Sequence, residues 1–331
     1  MNSLGTIFRV EILGESHGPV VGTIVDGCPP GVPLAPADFE PDLARRRAGA
    51  AGTTPRRETD VPEILSGLFE GHTTGTPLLV LLRNEDTRPA DYERFRRIPR
   101  PGHADWTGSV RYRGMNDPRG SGHFSGRVTA AFVAAGVVAK KLLPGASFAT
   151  RILEADGRTD VEAAAREALE AGDSIGGLVE LSVRGLPAGL GEPFFGPVEG
   201  LIARALFAVP GIRGVEFGDG FASTRMRGSS HNDPYIDRTG RTSRNGAGGV
   251  NGGITNGNEL LCRVAVKPAA SIALPQRTLD FSTGKETTLE IGGRHDACIA
   301  LRAAVVLEAA VAVVLADLAL MSRARDVAPL S

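Results

Sequence analysis

The sequence is poor in the residues that characterise several classes of protein. Its 331 residues include three cysteines, one tryptophan and only four lysines. Cys28, Cys262 and Cys298 lie too far apart for a zinc-ligand or redox spacing, and a sparse, odd set of this kind is typical of a reducing cytosol. The net charge of −1 and the pI near 6.6 give no indication of a nucleic-acid or membrane partner.

No targeting or membrane segment is predicted. The N-terminus lacks a charged region followed by an apolar run, so we expect no signal peptide and a cytoplasmic location. The most apolar stretch, 299–320, carries Arg302, Glu308 and Asp317, and its uncharged runs are shorter than a bilayer requires. We therefore expect a buried helix there, in a chain long enough for one large domain or two ordinary ones.

Arginine supplies almost all of the positive charge. The planar guanidinium matches the oxygens of phosphate and carboxylate, which suits small anionic ligands. Any single arginine is more simply explained as a solvated surface residue, but several of these arginines are grouped. The groups are Arg45-Arg46-Arg47, Arg56-Arg57, and Arg94, Arg96, Arg97 and Arg100.

Two predicted strands, 6–13 and 20–26, enclose the pentapeptide Gly14-Glu15-Ser16-His17-Gly18. Its glycines permit a tight turn around His17. A histidine at a strand end, beside an acid and a hydroxyl, can act as a general acid or base. Most loop histidines are simply solvated, so this motif alone is weak.

The remaining pattern alternates helices and strands, which indicates a mixed α/β (α+β) fold. Predicted helices cover 36–47, 125–143, 159–171, 198–208 and 297–320, and predicted strands cover 63–69, 77–82, 176–183, 215–221 and 260–266. Thr159 to Glu162 matches a capping box, and 145–158 is interpreted as a connector. The arginine-rich segment 48–60 is interpreted either as a solvated tether or as a lid over an anion.

Several further motifs fall outside regular elements. Residues 84–124 form a loop too long to be a plain connection. In it, His103 lies beside Asp105, which could orient it. The segment 120–125 resembles a phosphate-binding loop at a helix N-terminus. The glycine-rich segment 245–257 is more consistent with an ordered binding loop than with a linker, and Lys267 and Ser271 follow a strand.

Two further patterns concern the last helix and a repeat. The triplet Arg294-His295-Asp296 before the last helix could bind an anion or relay a proton, or Asp296 could merely cap the helix. The turn at 25–31 is similar to the turn at 183–189, 158 residues later. This indicates a single domain, 1–331, of two related halves, about 1–150 and 151–331, unless the similarity is a coincidence between Gly/Pro-rich turns.

Taken together, the motifs resemble those of chorismate synthases over essentially the whole chain. The resemblance rests on Gly14-Glu15-Ser16-His17-Gly18 with Val25-Asp26-Gly27, on Ser125-Gly126-Arg127, on Arg294-His295-Asp296, and on Arg45-Arg46-Arg47, Arg100 to Asp105, Gly252-Gly253-Ile254 and Lys267-Pro268. It implies a β-α-β sandwich with internal pseudo-symmetry, usually a homotetramer. It also implies a lyase of the shikimate pathway, in aromatic amino-acid biosynthesis, that forms chorismate from 5-enolpyruvylshikimate 3-phosphate by anti-1,4 elimination of phosphate, with reduced FMN and no net redox change.

The resemblance also implies roles for individual residues. His17 would protonate the departing phosphate, His103 would protonate and stabilise the reduced flavin, and Asp296 would act with flavin N5 in removing the ring proton. The anionic substrate would be bound by Arg46, Arg127 and Arg294. The protein would be a flavoprotein, and its FMN would be bound by Ser125, Gly252, Lys267, Ser271 and Arg294, with Pro210 from a neighbouring subunit. No metal is implied, and NADPH enters only if the protein or an external flavin reductase reduces the FMN.

The sequence departs from the family's pattern near the cofactor. The changes are at His123, Phe124, Gly126, Val128, Ala269 and Ala270, and Phe124 could stack on a ring or fill vacated space. Two alternatives therefore stay open beside an authentic chorismate synthase. One is a paralogous reduced-flavin lyase of specialised metabolism, acting on a related cyclohexene phosphate or enolpyruvyl ether. The other is a non-catalytic flavin-binding or assembly protein.

Overall fold

The computed structural model describes residues 2–47, 53, 58–86, 89–292 and 295–325. Its strands are β1 (Ser3–Leu4), β2 (Arg9–Gly14), β3 (Val20–Asp26), β4 (Pro62–Ser66), β5 (Leu68–Phe69), β6 (His72–Thr73), β7 (Leu78–Arg83), β8 (Ser147–Ala155), β9 (Gly177–Arg184), β10 (Ile212–Phe217), β11 (Val250–Asn251), β12 (Ile254–Thr255), β13 (Leu260–Val266), β14 (Gln276–Asp280) and β15 (Lys285–Leu289). Its α-helices are α1 (Glu40–Arg46), α2 (Asp105–Arg111), α3 (Thr129–Lys141), α4 (Val161–Glu170), α5 (Val198–Phe207), α6 (Gly228–His231) and α7 (Ala300–Arg325). Short 3₁₀ helices cover Pro36–Phe39, Pro89–Arg96, Arg119–Phe124, Gly126–Val128 and Gly220–Arg225.

Two antiparallel sheets enclose a layer of helices. The first sheet has the strand order β1-β2-β3-β7-β4 and the second β10-β13-β9-β8. Helix α3 packs on β3 and β7, helix α7 packs on β8 and β9, and the two helices pack against each other. This arrangement confirms the β-α-β sandwich.

The two central helices form the middle of the core. Every residue of α3 from Ala130 to Ala139 is buried, as expected for a helix that is apolar on all sides. The helices approach closely where Gly136 faces Ala309, since a Cβ at Gly136 would lie 2.4 Å from the Ala309 Cβ. Helix α7 is long and apolar enough to cross a membrane, but 78% of its most apolar window is buried inside the protein. It is the buried helix that the sequence predicts.

The last helix also anchors the N-terminal segment. Asp317 on α7 is buried, and its carboxylate accepts hydrogen bonds from the backbone N–H groups of Thr6, Ile7 and Phe8 at 2.7–2.9 Å. These groups precede β2 and would otherwise lack strand partners. Asp317 thereby fixes the entry of the strand that leads to His17.

Three sequence predictions about elements are wrong. The connector at 145–158 contains β8, a nine-residue edge strand that pairs with β9. Its outer face is solvated and carries small and polar residues, so it lacks the apolar run that marks a buried strand. Helix α4 is capped by Asp160, whose carboxylate accepts from the Ala163 N–H at 3.2 Å, and not by Thr159. The last helix begins at Ala300 and not at 297, which excludes the alternative that Asp296 merely caps it.

The two similar turns have similar geometry. Gly27 and Gly31 after β3 have φ of 76° and 83°, and Gly185 and Gly189 after β9 have 78° and 104°. A Cβ at Gly27 would lie 1.9 Å from one backbone carbonyl oxygen, and a Cβ at Gly185 would lie 2.1 Å from another. Only glycine fits either position. The division into two halves stays a prediction, supported by this recurrence.

Candidate active site

His17 lies in the turn that follows strand β2, and two other segments hold this turn in place. Gly14 ends the strand with φ of 92°. The Asn84 side chain, just after β7, donates to the carbonyls of Glu15 and Gly18 at 3.0 and 2.7 Å. The Ser16 N–H donates to the Gly122 carbonyl at 3.1 Å. The histidine therefore sits on a turn held from both sides.

The imidazole of His17 contacts an aromatic ring and lies close to a glycine backbone. The Tyr92 ring is 5.2 Å away, centroid to centroid. A Cβ at Gly120 would lie 1.8 Å from His17 Nδ1. Gly120, Ser121 and Gly122 all have positive φ, of 57°, 70° and 54°. Because of these positive φ angles, the loop backbone lies close to the imidazole ring. Glycine tolerates such angles without strain, so Ser121 is the residue of the three that has a steric cost.

A second histidine is held by a buried arginine and a carboxylate. Arg100 is 4% exposed and donates to Asp105 through Nε at 2.8 Å and Nη2 at 2.7 Å. His103 Nδ1 lies 2.8 Å from Asp105 Oδ1 and 3.1 Å from Arg100 Nη2. The predicted pairing of His103 with Asp105 is confirmed. Arg100 Nη2 also donates to the Ser121 hydroxyl at 2.9 Å, so one loop contacts both histidine sites.

The electrostatics of this group favour a neutral His103 beside an ionised Asp105. Burial lowers the pKa of His103, and the charge of Arg100 lowers it further, while Asp105 opposes both. Burial on its own would raise the pKa of Asp105, but hydrogen bonds from Arg100 and His103 hold that pKa well below its usual value. Nδ1–H donating to Asp105 leaves Nε2 of the neutral ring as an acceptor.

Two of the predicted cofactor residues join this loop. Lys267 Nζ donates to the Gly102 carbonyl at 2.7 Å, and Arg100 Nη1 donates to the Ser271 hydroxyl at 3.0 Å. Pro210, expected from a neighbouring subunit, precedes Gly211, whose carbonyl accepts from the Lys267 N–H at 2.9 Å in the same chain. The structure thus brings Lys267 and Ser271 to His103.

Two of the predicted substrate arginines are buried around one carboxylate. Arg46 and Arg127 are 3% and 5% exposed, and both contact Asp60, which is 1% exposed. Arg127 further donates to the Asn84 side chain and the Arg83 carbonyl, and Arg46 donates to the Gly126 and Arg127 carbonyls. Every guanidinium nitrogen of the pair contacts a protein acceptor.

The run Arg45-Arg46-Arg47 diverges because successive helical residues point in different directions. Arg45 reaches the buried Glu308 at 2.8 Å, and Arg47 pairs with Glu40 at 2.7 Å. Only the middle arginine enters the site. Burial, together with the charges of Arg302 and Arg127, lowers the pKa of Arg46 to about 9, although Asp60 opposes the shift. The guanidinium groups of Arg46, Arg127 and Arg302 therefore form one charged cluster, with Asp60 and Asp296 as its carboxylates.

Asp296 lies beside this charged cluster. Arg302 Nη1 contacts its two carboxylate oxygens at 3.0 and 3.3 Å, and Arg302 Nε donates to the Arg46 carbonyl at 3.0 Å. The neighbouring His295 has its pKa lowered by burial, with a smaller contribution from the charge of Arg100. Arg294, expected to bind both substrate and cofactor, lies outside the described residues, as does most of the segment 48–60.

At two positions that depart from the family pattern, His123 and Phe124, the side chains contact other parts of the protein. The His123 ring contacts the Gly14 carbonyl through Nδ1 at 2.8 Å. Phe124 packs against Gly108, where a Cβ would lie 2.6 Å from its ring, and faces Tyr112 at 6.1 Å. Of the two alternatives for Phe124, its position agrees with filling space. Ser125 caps the next 3₁₀ helix by accepting from the Arg127 N–H at 3.2 Å.

Sequence reasoning missed several residues of this site. Asp60, Asn84 and Tyr92 carried no motif that singled them out. A buried counter-ion such as Asp60 has no local signature, because its partners lie 14 and 67 residues away. Arg100 was noted as part of a motif and Arg302 as a charge within the apolar stretch 299–320, but neither was predicted to contact the site, although Arg302 lies six residues after Asp296.

The chemistry of these residues fits a flat anionic cofactor such as FMN. Lys267 and Ser271 supply a cation and a hydroxyl beside His103. Gly126 has open backbone ahead of α3, since a Cβ there would meet nothing within 4 Å. Gly252 is equally open, at the turn of the β11–β12 hairpin, and that hairpin is held by the Val198 N–H donating to the Gly253 carbonyl. The segment 245–257 is thus ordered, as predicted. Among the described residues, no cluster of three or more metal-binding side chains occurs.

Comparisons with known proteins identify the family of this chain. Residues 8–320 match the family model described as chorismate synthase. The chain is 54% identical over 324 residues to a chorismate synthase of Chitinophaga pinensis, with 98% of each chain covered. It is 46% identical to that of Opitutus terrae, with 96% of each chain covered. A crystal structure of chorismate synthase superposes with a TM-score of 0.73 at 26% identity, covering 96% of this chain and 93% of the other. The chain therefore belongs to the chorismate synthase family, whose members are carbon–oxygen lyases of the shikimate pathway.

Proposed function

We propose that the protein forms chorismate from 5-enolpyruvylshikimate 3-phosphate by 1,4 elimination of phosphate. A ring C–H bond loses its proton and its electron pair forms a new double bond, the existing ring double bond shifts by one position toward the phosphate-bearing carbon, and phosphate departs with the electrons of its C–O bond. The reaction is redox-neutral. The observation that carries the proposal is a chain of contacts: the loop at 120–122 contacts both His17 and the Arg100–His103–Asp105 group, and Asn84 links the His17 turn to Arg127. Arg127 lies against Arg46, and Arg302 connects Arg46 to Asp296.

In this proposal the two histidines have separate tasks. His17 donates a proton to the departing phosphate oxygen, because an unprotonated phosphate dianion is a poorer leaving group. His103 is neutral in the ligand-free protein and lies next to an ionised Asp105. A nearby anion would favour its protonated form. Asp105 would then stabilise the imidazolium through Nδ1, and Nε2–H would donate to the anion.

The charged residues around Arg46 accept the ring proton and bind the anionic groups of the substrate. The carboxylate of Asp296 holds the proton that leaves the ring. Arg46 and Arg127 supply fixed positive potential for the substrate's phosphate and carboxylates, together with Arg294. Burial is the main cause of the lowered pKa of Arg46, and the charges of Arg302 and Arg127 add to it; an anion bound nearby would raise that pKa again.

The cofactor and the assembly also belong to this proposal. Reduced FMN, bound by Ser125, Gly252, Lys267, Ser271 and Arg294, supplies electron density to the reacting ring when present. We further propose a cytoplasmic homotetramer, with each chain a single domain of two related halves and Pro210 reaching a neighbouring subunit's flavin. Reduced flavin then comes from an external, NADPH-dependent reductase.

The experiment is an anaerobic assay of the purified protein with reduced FMN and 5-enolpyruvylshikimate 3-phosphate. Equal amounts of phosphate and chorismate, measured by phosphate release and ultraviolet absorbance, are expected. Flavin binding without turnover would move the assignment to the paralogous lyase, and absence of both would point to the non-catalytic protein. The 54% identity over the full chain favours neither alternative.

A further inference from the structure

Arg302 connects two parts of the site that are far apart in sequence. It lies in the first turn of α7, and its side chain is 22% exposed. One guanidinium nitrogen contacts both oxygens of Asp296, at 3.0 and 3.3 Å. Nε donates to the backbone carbonyl of Arg46, 256 residues away, at 3.0 Å.

The Arg46 carbonyl is at the end of α1, where a backbone acceptor has no partner within the helix. Arg302 satisfies this acceptor and thereby ties the C-terminus of α1 to the start of α7. Asp296 itself lies in an irregular segment before α7, outside any strand or helix. A carboxylate on irregular backbone depends on its side-chain partners for its orientation.

We propose that Arg302 is a positioning residue for proton removal, an inference that rests on the proposed function. It holds the Asp296 carboxylate at a fixed distance from Arg46, so that proton acceptor and bound substrate keep one geometry. The rigid fork that contacts Asp296 and the Arg46 carbonyl together is specific to arginine, because an ammonium group cannot span both acceptors with the same directions.

The test compares Arg302→Lys and Arg302→Gln with the unaltered protein. We expect kcat to fall by about 10²-fold or more in Arg302→Gln, as a misplacement near 1 Å does in other enzymes. Arg302→Lys should retain part of the kcat that Arg302→Gln loses, and KM should change little. The decisive readout uses substrate deuterated at the ring carbon that loses its proton. The isotope effect on kcat should grow in both variants, because proton removal becomes the slowest step.

Two controls separate this inference from other causes. Arg323→Gln changes an exposed arginine of the same helix and should leave both kcat and the isotope effect unchanged. Equilibrium binding of the substrate, measured by calorimetry, should be nearly the same in Arg302→Gln and the unaltered protein. A fall in kcat with an unchanged isotope effect, or a loss of binding of the same size, would overturn the positioning role. If the unaltered protein forms no chorismate, the proposed function fails first, before the variants are compared.

Discussion

Gly120 offers the sharpest test of how the site is built. Its Cβ, if present, would lie 1.8 Å from His17 Nδ1, whereas an ordinary van der Waals contact begins near 3.4 Å. In Gly120→Ala, the loop or the imidazole must therefore move by about 1.6 Å. A displacement near 1 Å of a reacting group costs about 10²-fold in rate. We expect kcat/KM to fall by at least that factor, about 2.7 kcal/mol of transition-state stabilisation.

A matched control isolates the steric effect from backbone strain. Gly120 has φ of +57°, so alanine also incurs the left-handed penalty of about 1–2 kcal/mol. Gly114 has φ of +73°, but a Cβ there would meet nothing within 4 Å. Gly114→Ala should lose similar stability in thermal unfolding while keeping its activity. Equal activity losses in the two variants, or full activity in Gly120→Ala, would refute the close packing of Gly120 on His17.

Four further predictions concern charge and stability. In Asp105→Asn, the group that raises the pKa of His103 is lost, so His103 should titrate at lower pH by NMR; an unchanged titration would contradict the pairing. Because that pKa is already below its unfolded value, stability should fall as the pH drops below about 6.5, and His103→Gln should remove this dependence in denaturant unfolding. Asp60→Asn leaves two buried guanidinium groups without their carboxylate and should cost about 3–5 kcal/mol in denaturant unfolding, where a loss under 1 kcal/mol would count against the buried pair. Asp317→Ala strands three backbone N–H groups and should cost at least about 3 kcal/mol, with exposed Glu170→Ala as the control that stays near zero.

The central elements were predictable because their patterns are local. The apolar residues of α3 recur at helical spacing, and β13 is an almost continuous apolar run, so both elements appear where the sequence predicts them. The edge strand β8 was missed because its one-sided burial leaves a weak pattern. In the segment 84–124, the absence of periodicity indicated function, and the structure fills it with α2 and two 3₁₀ helices around His103.

The site was predictable in its motifs but not in its counter-charges. His103 and Asp105 are two positions apart in the sequence, so their pairing could be predicted, and the structure confirms it. The orientation of Arg46 could not follow from the sequence, since it depends on Asp60 and on carbonyls of the 126–127 segment. Long-range ion pairs of this kind leave no periodic trace, and only the fold brings their members together.

The most direct test of the account is phosphate release under anaerobic conditions, with reduced FMN and 5-enolpyruvylshikimate 3-phosphate. The unaltered protein and the exposed-histidine control His72→Gln should release phosphate and form chorismate in equal amounts at equal rates. His17→Gln should be slower by about 10²–10⁴-fold, the usual contribution of a positioned proton donor. Full activity in His17→Gln, or phosphate release without chorismate in the unaltered protein, would contradict the account.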